Sequence, residues 1–354
     1  MDELRRRIGQ LLLIGFRGLE IDVRSSIAQD LKERNLGGII LFDEELADRS
    51  IPSRNVQSPA QVRELVRSLK SFASTPPFVA IDQEGGRVNR LKAALGFPPT
   101  VSQAELGALN NVEKTFAAAD SMASTLSGLG INLNLAPVVD IDTNPDNPII
   151  AAKRRSFSRE PAIVTRHSIE FCRAHRERGV FTCAKHFPGH GSARGDTHLG
   201  MVDVTDTWNE SELIPFQELI RKGSCDMVMT AHVIHRKLDP DWPATMSHRV
   251  VTGLLRGKLG FDGVVMSDDL QMKAISENYS FATVIEKTIN AGIDLLCFGN
   301  NSFFDANIAQ TAIETIASLV GEGRIGKSRI DESFDRILRR KGDWQAVCAK
   351  QSTS

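Results

Sequence analysis

The chain has 354 residues, enough for one large α/β domain or two ordinary ones, and 41% hydrophobic with 25% charged residues is a globular composition, not a disordered one. A formal net charge of -1, from 43 basic and 44 acidic residues, gives no electrostatic footprint for nucleic acid or an anionic membrane surface. The five cysteines (Cys172, Cys183, Cys225, Cys297, Cys348) are dispersed and never spaced Cys-x-x-Cys, so free thiols in a reducing cytosol are expected, not disulfides or a zinc knot.

At the N-terminus, MDELRRRIGQLLLIGFRG places acidic and basic residues before a short apolar run that has no small-residue cleavage site after it. It reads as a strand over 8–16 and not as a signal peptide. No later stretch reaches the roughly 20 apolar residues of a membrane span, so the expected location is the cytoplasm.

Eight short runs rich in Val, Ile, Leu and Phe follow in order: 11–16, 37–42, 78–82, 131–140, 180–187, 226–233, 263–269 and 293–299. They are continuous, not alternating, as parallel strands buried on both faces should be. Helix-length segments lie between them. SPAQVRELVRSLKSF (58–72) opens with a Ser N-cap and Pro at the first helical position, and 161–179, 246–260 and 302–320 continue the pattern. After a break at 321–328, residues 329–344 read as a last helix. Eight strand–helix units predict a single-domain (β/α)8 TIM barrel over 1–345, with 346–354 as a flexible tail; a doubly wound open sheet is the alternative. Polar residues gather just after the runs (Asp82, Asp140, Lys185, His186, His232, Asp268), where barrel active sites are built.

Four clusters carry possible chemistry. In VVMSDDLQM (264–272) a buried strand ends on two acids; Asp268 can face a pocket while Asp269 caps the next segment. AKHFPGHGSARGDTHLG (184–200) holds Lys185, His186, His190, Asp196 and His198 among glycines, which predicts a mobile loop. Asp196, two residues before His198, can fix its tautomer and raise its pKa, preparing a general acid/base. The same side chains could instead ligate a metal, but Lys185 would repel a cation and no helical His-x-x-x-His motif with an adjacent glutamate is present, so neither metal nor cofactor is expected. In FVAIDQEGGRVNRL (78–91), Asp82 can accept sugar hydroxyls and Arg87 or Arg90 can donate to oxygens, or the arginines can serve an ion pair at the rim. The long loop 142–161 ends in Lys153, Arg154 and Arg155, which can bind an anion or carbonyl oxygen or form a solvated charge run.

Taken together, IDQEGGRV, KHFPGHG with its following Asp-x-His, and SDDL resemble the bacterial β-N-acetylglucosaminidases of glycoside hydrolase family 3 across nearly the whole barrel. The resemblance implies a retaining mechanism. It casts Asp268 as nucleophile, His198 as acid/base and Asp196 as its partner. It casts Asp82, Arg90, Arg155, Lys185 and His186 as the sugar-binding set. Many family 3 β-glucosidases place the acid/base on a further domain; here the Asp–His pair would supply it within the barrel. The implied substrates are GlcNAc-anhydro-N-acetylmuramoyl fragments of peptidoglycan turnover. A β-glucosidase, a glycosyl phosphorylase and a non-catalytic sugar-binding protein are the alternatives. The expected partner is a small carbohydrate or muropeptide, with no nucleic acid or membrane, and a monomer is expected.

Overall fold

Each of the eight apolar runs forms a parallel strand: β1 Leu12–Gly15, β2 Gly38–Leu41, β3 Phe78–Ile81, β4 Leu133–Asn134, β5 Phe181–Phe187, β6 Met227–Thr230, β7 Val264–Ser267 and β8 Leu296–Phe298. The computed structural model describes the chain apart from residues 47, 49, 51, 52 and 352–354, and describes 343–351 as backbone only. In each of β1 to β7 every residue is buried, as the continuous apolar runs require of strands walled on both sides.

The strands pair in chain order from β1 to β7, and β8 pairs with β1. A bridge between Met266 and Leu295, with Ser267 N donating to Leu295 O at 3.0 Å, joins β7 to the lead-in of β8. This closes the sheet into the expected barrel and removes the open-sheet alternative.

The surrounding helices include α1 Glu3–Gln10, α2 Ser26–Glu33, α3 Pro59–Phe72, α4 Val112–Gly128, α5 Pro161–Glu177, α6 Ile214–Arg221, α7 Arg249–Lys258, α8 Phe281–Ala291, α9 Ile308–Gly321 and α10 Lys327–Gln351. Ser58 caps α3 as its sequence predicts, accepting from Gln61 N at 3.2 Å. Two expectations need correction. Residues 8–10 close α1 instead of opening a strand, because Asp2 accepts from Arg5 N and starts a helix that buries Ile8. The segment 246–260 forms a helix of the wider i→i+5 type, seen where Leu259 N donates to Leu254 O at 2.9 Å. The last helix runs to Gln351 and so overlaps the expected flexible tail of 346–354, of which 352–354 lie outside the described residues.

Helix α10 closes the N-terminal end of the barrel. Buried Asp294 accepts from Arg256 at 2.6 Å, Arg329 at 2.9 Å and Arg336 at 2.8 Å, which ties α7 and α10 to the start of β8. Lys341 enters the same end. Its Nζ donates to Gln10 Oε1 at 2.7 Å and Gly37 O at 2.8 Å and lies 4.9 Å from the Phe78 ring centroid. Among the described residues no carboxylate pairs with it, and burial lowers its pKa to about 7.

That lysine predicts a pH signature. An ammonium whose folded pKa lies below its unfolded value binds its proton more weakly in the native state, so it destabilises the fold at and below neutral pH and ceases to do so as pH rises toward the unfolded value. Between pH 7 and 10 the stability of the wild type should rise relative to Lys341→Met, by on the order of 1 kcal/mol per pH unit at the steepest. Urea titrations of both proteins across that range check this; parallel curves would contradict it.

Candidate active site

The carboxyl ends of the strands open into a cavity of about 490 Å³. Every residue singled out as catalytic or sugar-binding lines it except Asp196, which reaches it through His198: Asp82, Arg90, Arg155, Lys185, His186, His198 and Asp268.

The floor is a chain of charges drawn from three successive strand ends. Lys185 Nζ lies 2.6 Å from Asp82 Oδ1 and 2.8 Å from Glu84 Oε1, and Arg155 grips both Glu84 oxygens at 2.8 Å. Burial alone would raise the Glu84 carboxyl, but Arg155 and Lys185 hold it well below the usual carboxylate range. Arg90 completes the floor, 3.6 Å from Asp82 and 3.5 Å from Asp43. It therefore serves the rim ion pair and faces the cavity at once. Arg87 makes no such pair and donates to Ala152 O at 2.6 Å.

Lys185 and His186 are consecutive, so a regular strand would send them to opposite faces. The register of β5 against β6 shifts between Ala184 and Phe187, and that irregularity lets both line the cavity. His186 is held on both sides: Nδ1 donates to Asp140 Oδ2 at 2.7 Å, and Nε2 accepts from Arg155 at 3.3 Å. Both ring nitrogens of His186 are thus engaged, which fixes the plane of the imidazole at the cavity wall. Among the described residues no group of three His, Cys, Asp or Glu side chains converges on one point.

Asp268 follows β7 directly. Burial works against its ionisation, but the neighbouring histidines His232, His186 and His198 and the Asp269 N–H outweigh it and lower its pKa to about 2. Asp269 does the structural work its position suggested, accepting from Gln271 N and Gly299 N, each at 3.0 Å. A Cβ at Gly299 would stand 2.5 Å from Asp269 Oδ2, so this clasp between β7 and β8 requires glycine.

His198 donates from Nδ1 to Asp196 Oδ1 at 2.7 Å, leaving Nε2 free. Partial burial opposes its positive charge, but the bond to Asp196 and the field of Asp268 prevail and raise its pKa above the ordinary histidine value. The side chain is 52% exposed. Its neighbour Thr197 is buried, and Thr197 O accepts from Ala274 N at 3.3 Å, fastening this arm to the segment that follows Asp268.

The glycine-rich loop is not uniformly open, as its composition suggested. Residues 188–193 are buried, and Asn147 Nδ2 donates to His190 O at 2.8 Å and to Gly191 O at 3.1 Å. Gly191 allows close packing, since a Cβ there would fall 1.7 Å from Ile141 O. Only the outer half, 194–200, carries exposed positions.

Sequence reasoning missed Glu84, and it pointed to Asp140 and His190 as candidates without placing either in the catalytic or sugar-binding set. Glu84 stands two residues after Asp82, where a buried acid beside two glycines was the available signal. His190 lines the cavity while 2% exposed, and neither ring nitrogen has a partner among the described residues. Burial lowers its pKa to about 4, and a neutral imidazole with one donor and one acceptor suits a sugar hydroxyl.

Several known proteins resemble this chain along most of its length. The β-hexosaminidase A of Pseudoalteromonas piscicida is 33% identical over 341 residues, covering 89% of this chain and 54% of its own length. The β-hexosaminidase of Tolumonas auensis is 33% identical over 82% of this chain and 83% of its own. A family 3 β-N-acetylglucosaminidase structure from a Paenibacillus species superposes with TM-score 0.88 at 37% identity, over 98% of this chain and 63% of that one. A β-N-acetylhexosaminidase from Beutenbergia cavernae gives 0.85 at 29% identity, over 97% and 99%. The chain thus spans about half of the first relative and nearly all of the last. The glycosyl hydrolase family 3 N-terminal domain matches residues 3–340, and with these relatives it shows that the chain belongs to glycoside hydrolase family 3.

Proposed function

We propose that this chain is a retaining β-N-acetylglucosaminidase that removes terminal β-linked GlcNAc from peptidoglycan-turnover fragments through a glycosyl ester on Asp268. The observation that carries the reading is one cavity lined by a strand-end carboxylate, Asp268, and an imidazole, His198, hydrogen-bonded to a neighbouring acid that favours its protonated form. The names of the relatives, β-hexosaminidase and β-N-acetylglucosaminidase, support the sugar assignment. No described helix is long and apolar enough to cross a membrane, which fits a water-borne substrate.

In the first step an Asp268 oxygen attacks the anomeric carbon and the bond to the leaving oxygen breaks. His198 Nε2 gives that oxygen its proton while Asp196 stabilises the imidazolium that has to form beforehand. In the second step neutral His198 takes a proton from water. The resulting hydroxide character attacks the anomeric carbon, and the ester bond to Asp268 breaks. Two inversions leave the β configuration. Asp82, Arg90, Arg155, Lys185 and His186 would hold the sugar hydroxyls, and the ion pairs among them fix their directions before substrate arrives. Since Asp196 rather than a second attacking carboxylate tunes the acid, the role usually filled by a carboxylic acid passes to a histidine.

Removal of the two groups should separate their roles. Asp268→Ala should be close to inactive on every substrate, because no covalent path remains. His198→Ala should lose about 10²–10⁴-fold on a disaccharide and much less on an aryl β-GlcNAc with a good leaving group. Initial rates on both substrates test this, and equal losses on the activated glycoside would overturn the role assignment.

The pH profile provides a second check. His198 must carry its proton in the first step and its pKa is raised, so the alkaline limb of kcat/KM should lie above the ordinary 6.5. The acid limb, reporting Asp268, should lie far below it, near about 2 where the protein survives. Asp196→Asn removes the acid that favours the imidazolium and should move the alkaline limb down; an unmoved limb would contradict the pairing.

A further inference from the structure

Behind the charged floor lies a second cavity, of about 180 Å³, that the proposed chemistry does not use. Its walls are Gln83 and Glu84, the strap 97–101, and side chains of α4 and α5. Phe97, Leu106, Met122 and Phe171 make its inner surface apolar and buried, while exposed Pro98, Pro99 and Ser121 border its mouth. It offers no free charge. Glu84 is shared with the active-site cavity, and both its oxygens are taken by Arg155 and Lys185. The two threonines in the wall are engaged locally: Thr100 Oγ1 accepts from Asn89 Nδ2 at 3.0 Å, and Thr125 Oγ1 donates to Ser121 O at 3.0 Å.

One polar group in this wall is left over. Gln83 is 3% exposed and lines this cavity but not the active-site cavity. Its backbone is clasped by Asn134, with Gln83 N donating at 3.1 Å and Gln83 O accepting at 2.9 Å. Its Oε1 accepts from Arg90 N and Leu91 N, each at 3.1 Å. Two backbone donors on one atom settle which end of the amide is oxygen, so Nε2 is the end turned away from them. Among the described residues Nε2 has no partner. A buried donor left unsatisfied is costly, so the best occupant brings an acceptor to it. Size narrows the choice. A cavity of about 150 Å³ lined by Leu, Ile and Phe takes up a benzene ring, so this one admits a six-membered ring with a short substituent. A sugar fits poorly, because its several hydroxyls would meet one free donor and an apolar wall.

We infer that this cavity is a second binding site, for an uncharged single-ring compound bearing one carbonyl, and that its occupant is felt at the active-site floor. The carbonyl oxygen accepts from Gln83 Nε2, and the ring rests among Phe97, Met122 and Phe171. The path to the floor is short. The other end of the same amide holds the backbone of Arg90, and the next residue is Glu84, which walls both cavities. The site itself does not depend on the proposed reaction.

The test uses the full chain and three probes: acetophenone, toluene and benzoate. Toluene is the more apolar of the first two, so hydrophobic transfer alone ranks it above acetophenone. A hydrogen bond to Gln83 reverses that order. Kd values come from ligand-observed NMR. Acetophenone should bind one to one, with a Kd on the order of millimolar and at least about threefold tighter than toluene. Benzoate should bind more weakly than either, because no free cation receives it. Ala118→Leu and Thr125→Leu each push added methyl groups into the cavity from α4, and each should weaken acetophenone about tenfold or more. Two variants are used so that a misfolded one leaves the other. Saturating GlcNAc should not displace acetophenone. Toluene binding as tightly as acetophenone, full affinity in a folded filled variant, or displacement by GlcNAc overturns the site.

The connection to the floor is read from hydrolysis of the GlcNAc disaccharide. Saturating acetophenone should change KM at least about twofold in wild type and leave it unchanged in the filled variants. A wild-type KM that does not move overturns the connection. If wild type does not cleave the disaccharide or an aryl β-GlcNAc, the proposed function fails. The site is still judged by the Kd values, and the connection by whether acetophenone shifts the Kd of GlcNAc, an unshifted value overturning it.

Discussion

The site depends on Glu84 and its two cations. A carboxylate 2% exposed, with Lys185 at 2.8 Å on one side and Arg155 bidentate on the other, joins the segments that follow β3 and β4 to strand β5. Taking such charges out of water is costly, and their mutual attraction compensates only when the geometry is good and each oxygen is satisfied. Both Glu84 oxygens are satisfied here. Removing one partner would leave an uncompensated buried charge, which typically costs about 3–5 kcal/mol. The barrel tolerates this because the charges sit at its carboxyl end, above a core of apolar side chains, and because the cluster fixes directions that a sugar needs. Lys185 orients Asp82, and Arg155 orients His186 from one side while Asp140 holds it from the other.

Against that stiff floor the two groups proposed for bond making and proton transfer are mounted differently. Asp268 stands directly on the end of β7, and the Asp269 clasp to Gly299 holds its backbone against β8. His198 rides on the exposed half of the loop after β5, steadied by Asp196 and by the Thr197–Ala274 hydrogen bond. A nucleophile has to meet one carbon along one line, which favours a strand end. An acid/base has to serve a departing sugar and then a water, which favours a group that solvent can reach. The electrostatics agree, since the same histidines that keep Asp268 ionised are opposed to it in sign when charged, and Asp268 in turn helps His198 hold its proton.

Much of this was legible in the sequence because burial on both faces leaves a strand few polar positions, most of them near its carboxyl end. Runs such as GGIILF and GVVMS are therefore unmistakable, and all eight became barrel strands. The acids and bases after those runs were legible for the same reason, as polar side chains where a buried strand ends. What escaped was whatever depends on partners distant in sequence. The helix at Glu3–Gln10 was hidden because Ile8 continues into the apolar run of β1, and only Leu11, itself apolar, lies between helix and strand. The glycines of 189–191 read as freedom, yet Gly191 is there to let Ile141 O approach. Glu84 has no visible partner in its local sequence, because Arg155 and Lys185 reach it from far along the chain. The side-by-side placement of Lys185 and His186 came from a register shift that no local pattern announces.

The central claim is that a strand-end carboxylate becomes covalently bonded to the sugar. It is tested most directly by incubating the enzyme with a mechanism-based glycoside or cyclitol that forms the ester quickly and releases it slowly, then digesting the protein and sequencing the labelled peptide by mass spectrometry. The account predicts a single adduct on Asp268 within the peptide containing VVMSDDL. A label on Asp269, on His198 or on any other side chain, or full turnover of the reagent with inverted anomeric configuration and no adduct, would contradict it.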